Sequence, residues 1–60
     1  MEKLKKAREA KGLTQQELGD MIGVSKAAIC RYELGTLDPP SRVLKAIAEA
    51  LGVSVSDILD

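Results

Sequence analysis

TQQELGDMIGVSKAAICRYELG, residues 14 to 35, is the stretch on which the fold turns. Thr14 has the residue type of a helix N-cap, and Glu17, three positions on, can return a hydrogen bond to the cap's own amide. Leu18, Met21 and Ile22 recur at spacings of three and four, which puts them on one helical face. Gly23 ends that helix, because glycine enters the left-handed conformation without steric cost. Val24 and Ser25 carry the chain over a turn, and Ser25 is placed to cap a second helix with Ile29 and Tyr32 as its apolar stripe. Gly35 stops it. Gly19, inside the first of these helices, costs up to about 1 kcal/mol in propensity. The bare backbone makes sense there if it lets the second helix approach closely.

So brief a link makes the two helices cross at a wide angle. This is helix-turn-helix geometry, in which the second helix is presented to the DNA major groove. Working outward, the pattern predicts an all-α domain spanning residues 1–60, with helices at about 2–11, 14–22, 25–34, 40–51 and 54–59. Leu13 before Thr14 with Leu18, Val24 before Ser25 with Ile29, and Val53 before Ser54 with Ile58 have the spacing of hydrophobic staples. Gly12 closes the first helix, and TLDPP, residues 36–40, is a loop whose prolines can only precede the next helix. Leu44, Ile47, Ala48 and Leu51 then form a stripe ended by Gly52. The predicted core is Leu4, Ala7, Leu13, Leu18, Ile22, Val24, Ile29, Tyr32, Leu44, Ile47, Leu51 and Ile58.

Composition narrows the function classes. Sixty residues make a small domain with a marginal core. One cysteine, Cys30, excludes an internal disulfide framework and any multi-cysteine metal site, and points to a reducing cytoplasm. With no histidine, the commonest metal ligand and general base are missing. No cofactor is implied, nor a nucleophile with its base or a glycine-rich phosphate loop, so an enzyme is not expected. No apolar run reaches membrane-spanning length, and no secretory leader pattern is present. The formal net charge is zero, but the charge is sorted along the chain. Lys3, Lys5, Lys6, Arg8, Lys11, Lys26 and Arg31 oppose Glu2, Glu9, Glu17 and Asp20 in the first half; Arg42 and Lys45 oppose Glu33, Asp38, Glu49, Asp57 and Asp60 in the rest. A molecule with one DNA-facing side has this asymmetry.

The run LTQQELGDMIGVSKAAICRYELG, the proline-led helix after it and the closing ALGVSVSDIL resemble the Cro/cI-type, lambda-repressor-like helix-turn-helix family, from about Leu4 to Leu59. Its most specific parts are Gln15 and Glu17, small Gly19, turn Gly23, Ile29 and Arg31-Tyr32-Glu33 before Gly35. The resemblance implies a five-helix fold and sequence-specific binding to double-stranded operator DNA, commonly as a homodimer, in a bacterial or phage cytoplasm. It implies that Gln15 hydrogen-bonds a phosphate, and that Ser25, Lys26, Ala27, Ala28 and Arg31 face the groove. Lys26 can reach a guanine edge or phosphate, Arg31 can be bidentate to guanine or clamp the backbone, and Ala27 offers thymine a methyl. Arg42 matches a position from which some relatives reach the backbone or a narrow minor groove. Arg8 and Glu33 match a structural ion pair.

The chain departs from many relatives in having Thr36, Leu37 and Asp38, rather than basic residues, after Gly35. Fewer phosphate contacts then hold each monomer. Leu37, Val55 and Leu59 are the apolar candidates for a dimer surface. Tyr32 shares the face of Ile29 and reads as core, and Cys30 as a small, partly buried residue. A second class stays open beside the DNA reading. Neutral charge and the acidic loop also suit a protein-interaction module, such as the antitoxin of a toxin–antitoxin pair.

Overall fold

Thr14 and Glu17 cap the second helix reciprocally. The Thr14 hydroxyl accepts the Glu17 amide at 3.0 Å, and the Glu17 carboxylate accepts the Thr14 amide at 2.9 Å. Ser25 caps the third helix by accepting the Ala28 amide at 3.1 Å. These caps set the order seen in the computed structural model, which describes residues 1–60: α1 (Glu2–Ala10), α2 (Gln15–Ile22), α3 (Lys26–Leu34) and α4 (Ser41–Leu51), with no strand. α2 packs against both α3 and α4, and α1 packs against α3.

The fifth predicted helix is not an α-helix. Residues Val55–Asp57 form one 3-10 turn, in which Asp57 N–H donates to Ser54 C=O and Ile58 N–H to Val55 C=O. So short a segment cannot offset the cost of nucleating an α-helix. Ile58, fully buried, pulls the chain onto the core at φ −113°, outside the helical range. The Asp57 carboxylate still reaches back to the Ser54 amide at 3.0 Å.

The core is Leu4, Leu18, Ile29, Tyr32, Val43, Ile47, Ala48, Leu51 and Ile58. Ala7, Leu13, Ile22, Val24 and Leu44 are half-buried around it rather than central. Val43 replaces Leu44 as the leading core residue of α4. Ile47, Ala48 and Leu51 of the expected stripe are buried; Val43, one turn before Ile47, joins them, and Leu44 is half-buried on the flank.

The close approach at Gly19 is made by a different group from the one expected. A Cβ there would overlap the Val24 carbonyl oxygen, so it is the turn, and not the body of α3, that folds onto α2. The Val24 amide donates to Gly19 C=O at 2.9 Å, with Gly23 at φ +72° between them. Both sides of the contact are backbone and cannot move aside.

The first helix begins on a carboxylate from the far end of the chain. Asp60 accepts the Glu2 and Lys3 amides at 2.9 and 3.0 Å, and these bonds hold its carboxyl below the usual range. Beside it, the Met1 ammonium donates to Glu33 C=O at 2.8 Å and Tyr32 C=O at 3.2 Å, at the carbonyl end of α3.

Gly19→Ala tests the turn. In an open helix the change stabilises by up to about 1 kcal/mol. Here overpacking against fixed backbone should reverse the sign and lower stability by about 1–3 kcal/mol. Urea unfolding followed by circular dichroism reads the difference.

Candidate nucleic-acid interface

On α3 the helical period separates two faces. Ile29, Tyr32 and Glu33 are buried, while Lys26, Ala27, Arg31 and Leu34 are exposed on the other side. Ala28 does not join them. It lies between Arg31 and Tyr32 on the helical period, half-buried against the core, and offers only part of its methyl to a partner. Ser25 is exposed, but its oxygen already accepts the Ala28 amide, leaving its hydroxyl proton for any other group. Leu34, 71% exposed, shares the arc of Ala27 and Arg31. From the sequence it falls neither in the predicted core nor at the predicted interface, since a leucine just before a helix stop carries no signal of its own. Cys30 is half-buried on the flank of the same arc.

Neither ion pair of the structure involves Lys26, Arg31 or Arg42. Arg42 is exposed in the first turn of α4, whose cap, Pro40, has no side-chain donor or acceptor. Past the end of α3, the exposed Thr36 folds back on the helix end: its amide and hydroxyl both donate to Arg31 C=O, at 3.0 and 3.3 Å. The basic half of the chain is less positive outside than its residue count suggests, because Arg8 is consumed internally. Lys3, Lys5 and Lys6 along α1, and Lys11 just past its end, remain exposed.

Arg8 and Glu33 form a buried, two-pronged ion pair. Arg8 Nε donates to Glu33 Oε2 at 2.6 Å and Nη2 to Oε1 at 3.2 Å. Arg8 Nη1 donates to Leu13 C=O at 2.7 Å, which ties the α1–α2 turn to the pair. Gln15, the first residue of α2, adds a fourth bond from Nε2 to Glu33 Oε1 at 3.0 Å. Gln15 is thus half-buried and partly committed inside the protein, a contact between positions 18 apart that no local spacing signals. Burial alone would push the Glu33 carboxyl up. The hydrogen bonds from Arg8 and Gln15, with the charges of Arg8 and Lys5, outweigh that and hold it below the usual range. The hydrogen bond to Glu33 in turn raises Arg8 above its ordinary value, against the cost of burial.

A concave part of the surface lies elsewhere. It is a shallow groove of about 350 Å³ between the end of α2 and α4, lined by Met21, Ile22, Ala46, Glu49 and Ala50, with Glu49 its single ionisable group. No helix is long and apolar enough to cross a membrane.

Two outcomes follow from the buried pair. Arg8→Met leaves the Glu33 carboxylate uncompensated and should cost about 3–5 kcal/mol, measured as a fall in the urea midpoint. Because the Glu33, Asp57 and Asp60 carboxyls are lowered in the folded state, their stabilisation is complete above the unfolded range of about 4 and disappears as pH falls through the native values. The urea midpoint should therefore be level from about pH 7 to about pH 5 and drop below about pH 4.

Comparison with known proteins agrees with this geometry. A family model described as "Helix-turn-helix" matches residues 4–58. Two relatives come from Bacillus subtilis (strain 168). The uncharacterized HTH-type transcriptional regulator YqaE is 41% identical over 58 residues, covering 97% of this chain and 50% of its own length. The SPbeta prophage-derived uncharacterized HTH-type transcriptional regulator YonR is 36% identical over 58 residues, covering 97% and 54%. The chain thus spans about half the length of these curated relatives. Among solved structures, the clp gene regulator ClgR from C. glutamicum superposes with a TM-score of 0.86 at 33% identity, over 95% of this chain and 74% of that one. With a capped α2, a backbone-tight turn and an outward-facing α3, this chain belongs to the Cro/cI-type (XRE-type) helix-turn-helix family.

Proposed function

We propose that the chain is a sequence-specific, operator-DNA-binding domain of a transcriptional regulator, acting as a dimeric repressor with α3 in the major groove. The observation that carries this reading is the outward face of α3, where Lys26, Ala27 and Arg31 are exposed and neither cation is in an ion pair, while the opposite face is locked into the core. Family membership supports the same role. Arg31 reads guanine or clamps the backbone, Lys26 takes a base edge or phosphate near the start of the helix, and Ala27 packs on a thymine methyl. Ser25 and the exposed part of Ala28 border them. Gln15 and Arg42, at the starts of α2 and α4, hold phosphates on either side and fix the register of α3.

Dimerisation uses two of the apolar residues that the fold leaves exposed, Leu37 and Leu59, with the half-buried Val55. A two-fold axis there gives half-sites about 34 Å apart, one helical turn. Repression follows if the operator overlaps a promoter.

Selection on random duplexes, at low and then physiological salt, tests the reading. Enrichment of a two-fold-symmetric motif is expected. Arg31→Ala should cost about 1–3 kcal/mol and relax preference at one position per half-site, whereas Arg42→Ala should weaken all sequences alike and reduce the salt slope by about one. No enrichment at any salt, from folded protein, overturns the DNA reading and turns the search to a protein partner.

A further inference from the structure

The buried pair does more than join helices. We propose that Glu33, although enclosed and out of reach of any nucleic acid, is a positioning residue for the candidate phosphate contact: by accepting one N–H of the Gln15 amide, its carboxylate sets the flip of that amide and leaves the second N–H of the same nitrogen for the phosphate. The inference rests on the DNA reading above and extends it to a residue with no surface of its own.

A glutamine side chain has two nearly isosteric ends, a nitrogen with two donors and an oxygen that only accepts. Shape alone does not choose between them. For a phosphate the choice decides the sign, since the nitrogen end attracts it and the oxygen end repels it. At Gln15 the choice is made by charge. Glu33 is ionised and accepts only, so the nitrogen must face it, as the 3.0 Å contact from Nε2 to Oε1 records. The reverse orientation would place a carbonyl oxygen against a carboxylate oxygen.

The carboxylate cannot turn away to relieve such a clash. Arg8 holds Oε2 through Nε at 2.6 Å and Oε1 through Nη2 at 3.2 Å, while its third contact, to Leu13 C=O, anchors the guanidinium to the turn that leads into α2. Every buried side-chain polar atom is hydrogen-bonded, so the network has no slack. One N–H of Nε2 is used inside, and the second is left at the half-exposed start of α2.

The chain has two glutamines, Gln15 and Gln16, and no asparagine, so its side-chain amide spectrum holds two pairs of signals. In the wild-type protein the Gln15 pair should exchange with solvent more slowly than the Gln16 pair, whose partner Asp20 is exposed. Binding is then measured on the duplex from the selection, in a double-mutant cycle of Gln15→Met and Glu33→Gln, with folding checked by circular dichroism. Each single variant should weaken binding by at least about tenfold, the worth of one charge-assisted hydrogen bond, with little change in salt slope because Gln15 carries no charge. In the Glu33→Gln background, Gln15→Met should add little.

Equal costs for Gln15→Met in both backgrounds, or no cost in the wild type, would overturn the proposal while leaving the DNA reading in place. If Glu33→Gln does not fold, the wild-type spectrum decides: a Gln15 amide that exchanges as fast as Gln16 overturns the proposal, and a protected one with a binding cost for Gln15→Met upholds it. A wild-type protein that selects no duplex overturns the DNA reading, and the proposal with it.

Discussion

The arrangement of the first three helices depends on one buried charge pair. Arg8 on α1 and Glu33 on α3 meet with both carboxylate oxygens occupied; Arg8 Nη1 also donates to the Leu13 carbonyl, and the Gln15 amide donates to Glu33 Oε1. Such a pair contributes little net stability compared with two apolar residues of the same volume, because desolvating both ions offsets most of their attraction. Its force is as a constraint. Any packing that slides α1 along α3 leaves a bare charge inside the molecule, so few alternatives are accessible to a core of only nine residues.

The second constraint is backbone on backbone. Gly19 lets the Val24 carbonyl lie where a side chain would otherwise stand, and the Val24 amide closes the turn onto the Gly19 carbonyl. The angle between α2 and α3 is therefore fixed by main-chain atoms at the turn and by the ion-pair network at the other end. Apolar packing through Leu18 and Ile29 fills the space between these two fixed points.

Much of this was legible in the sequence because it is local. The Thr14–Glu17 box, the Ser25 cap and the glycine turn at Gly23 are each written within a few residues, and periodicity found most of the core. What was misread is long-range or short of a full helical turn. Val43 joins Ile47, Ala48 and Leu51 in the core while Leu44 stays half-buried, a difference that the apolar period of α4, which suits either residue, does not decide. The closing segment became a 3-10 turn because buried Ile58 decides its path. Asp60 as the cap of α1 lies 58 positions from its partner, Glu2, and no pattern reports it. Of the candidate interface, the outward placing of Lys26, Ala27, Ala28 and Arg31 was implied by the family resemblance, and the first two and Arg31 are exposed. Ala28 is half-buried, between Arg31 and Tyr32 on the helical period, and alanine suits either face. The pairing of Arg8 with Glu33 came from family resemblance, and the hold of Glu33 on Gln15 from neither source.

The outward arc of α3 has a property that concerns the history of such a domain more than its present contacts. The side chains of Lys26, Ala27, Arg31 and Leu34 make no hydrogen bond or ion pair within the protein, and none belongs to the core. What α3 must be in order to fold is written on Ile29, Tyr32 and Glu33; what it exposes to a partner is written on the other four. The two sets of residues do not overlap. A lineage can therefore rewrite the outer set one residue at a time without crossing an unfolded intermediate, and duplicated copies can diverge in target while keeping the same scaffold.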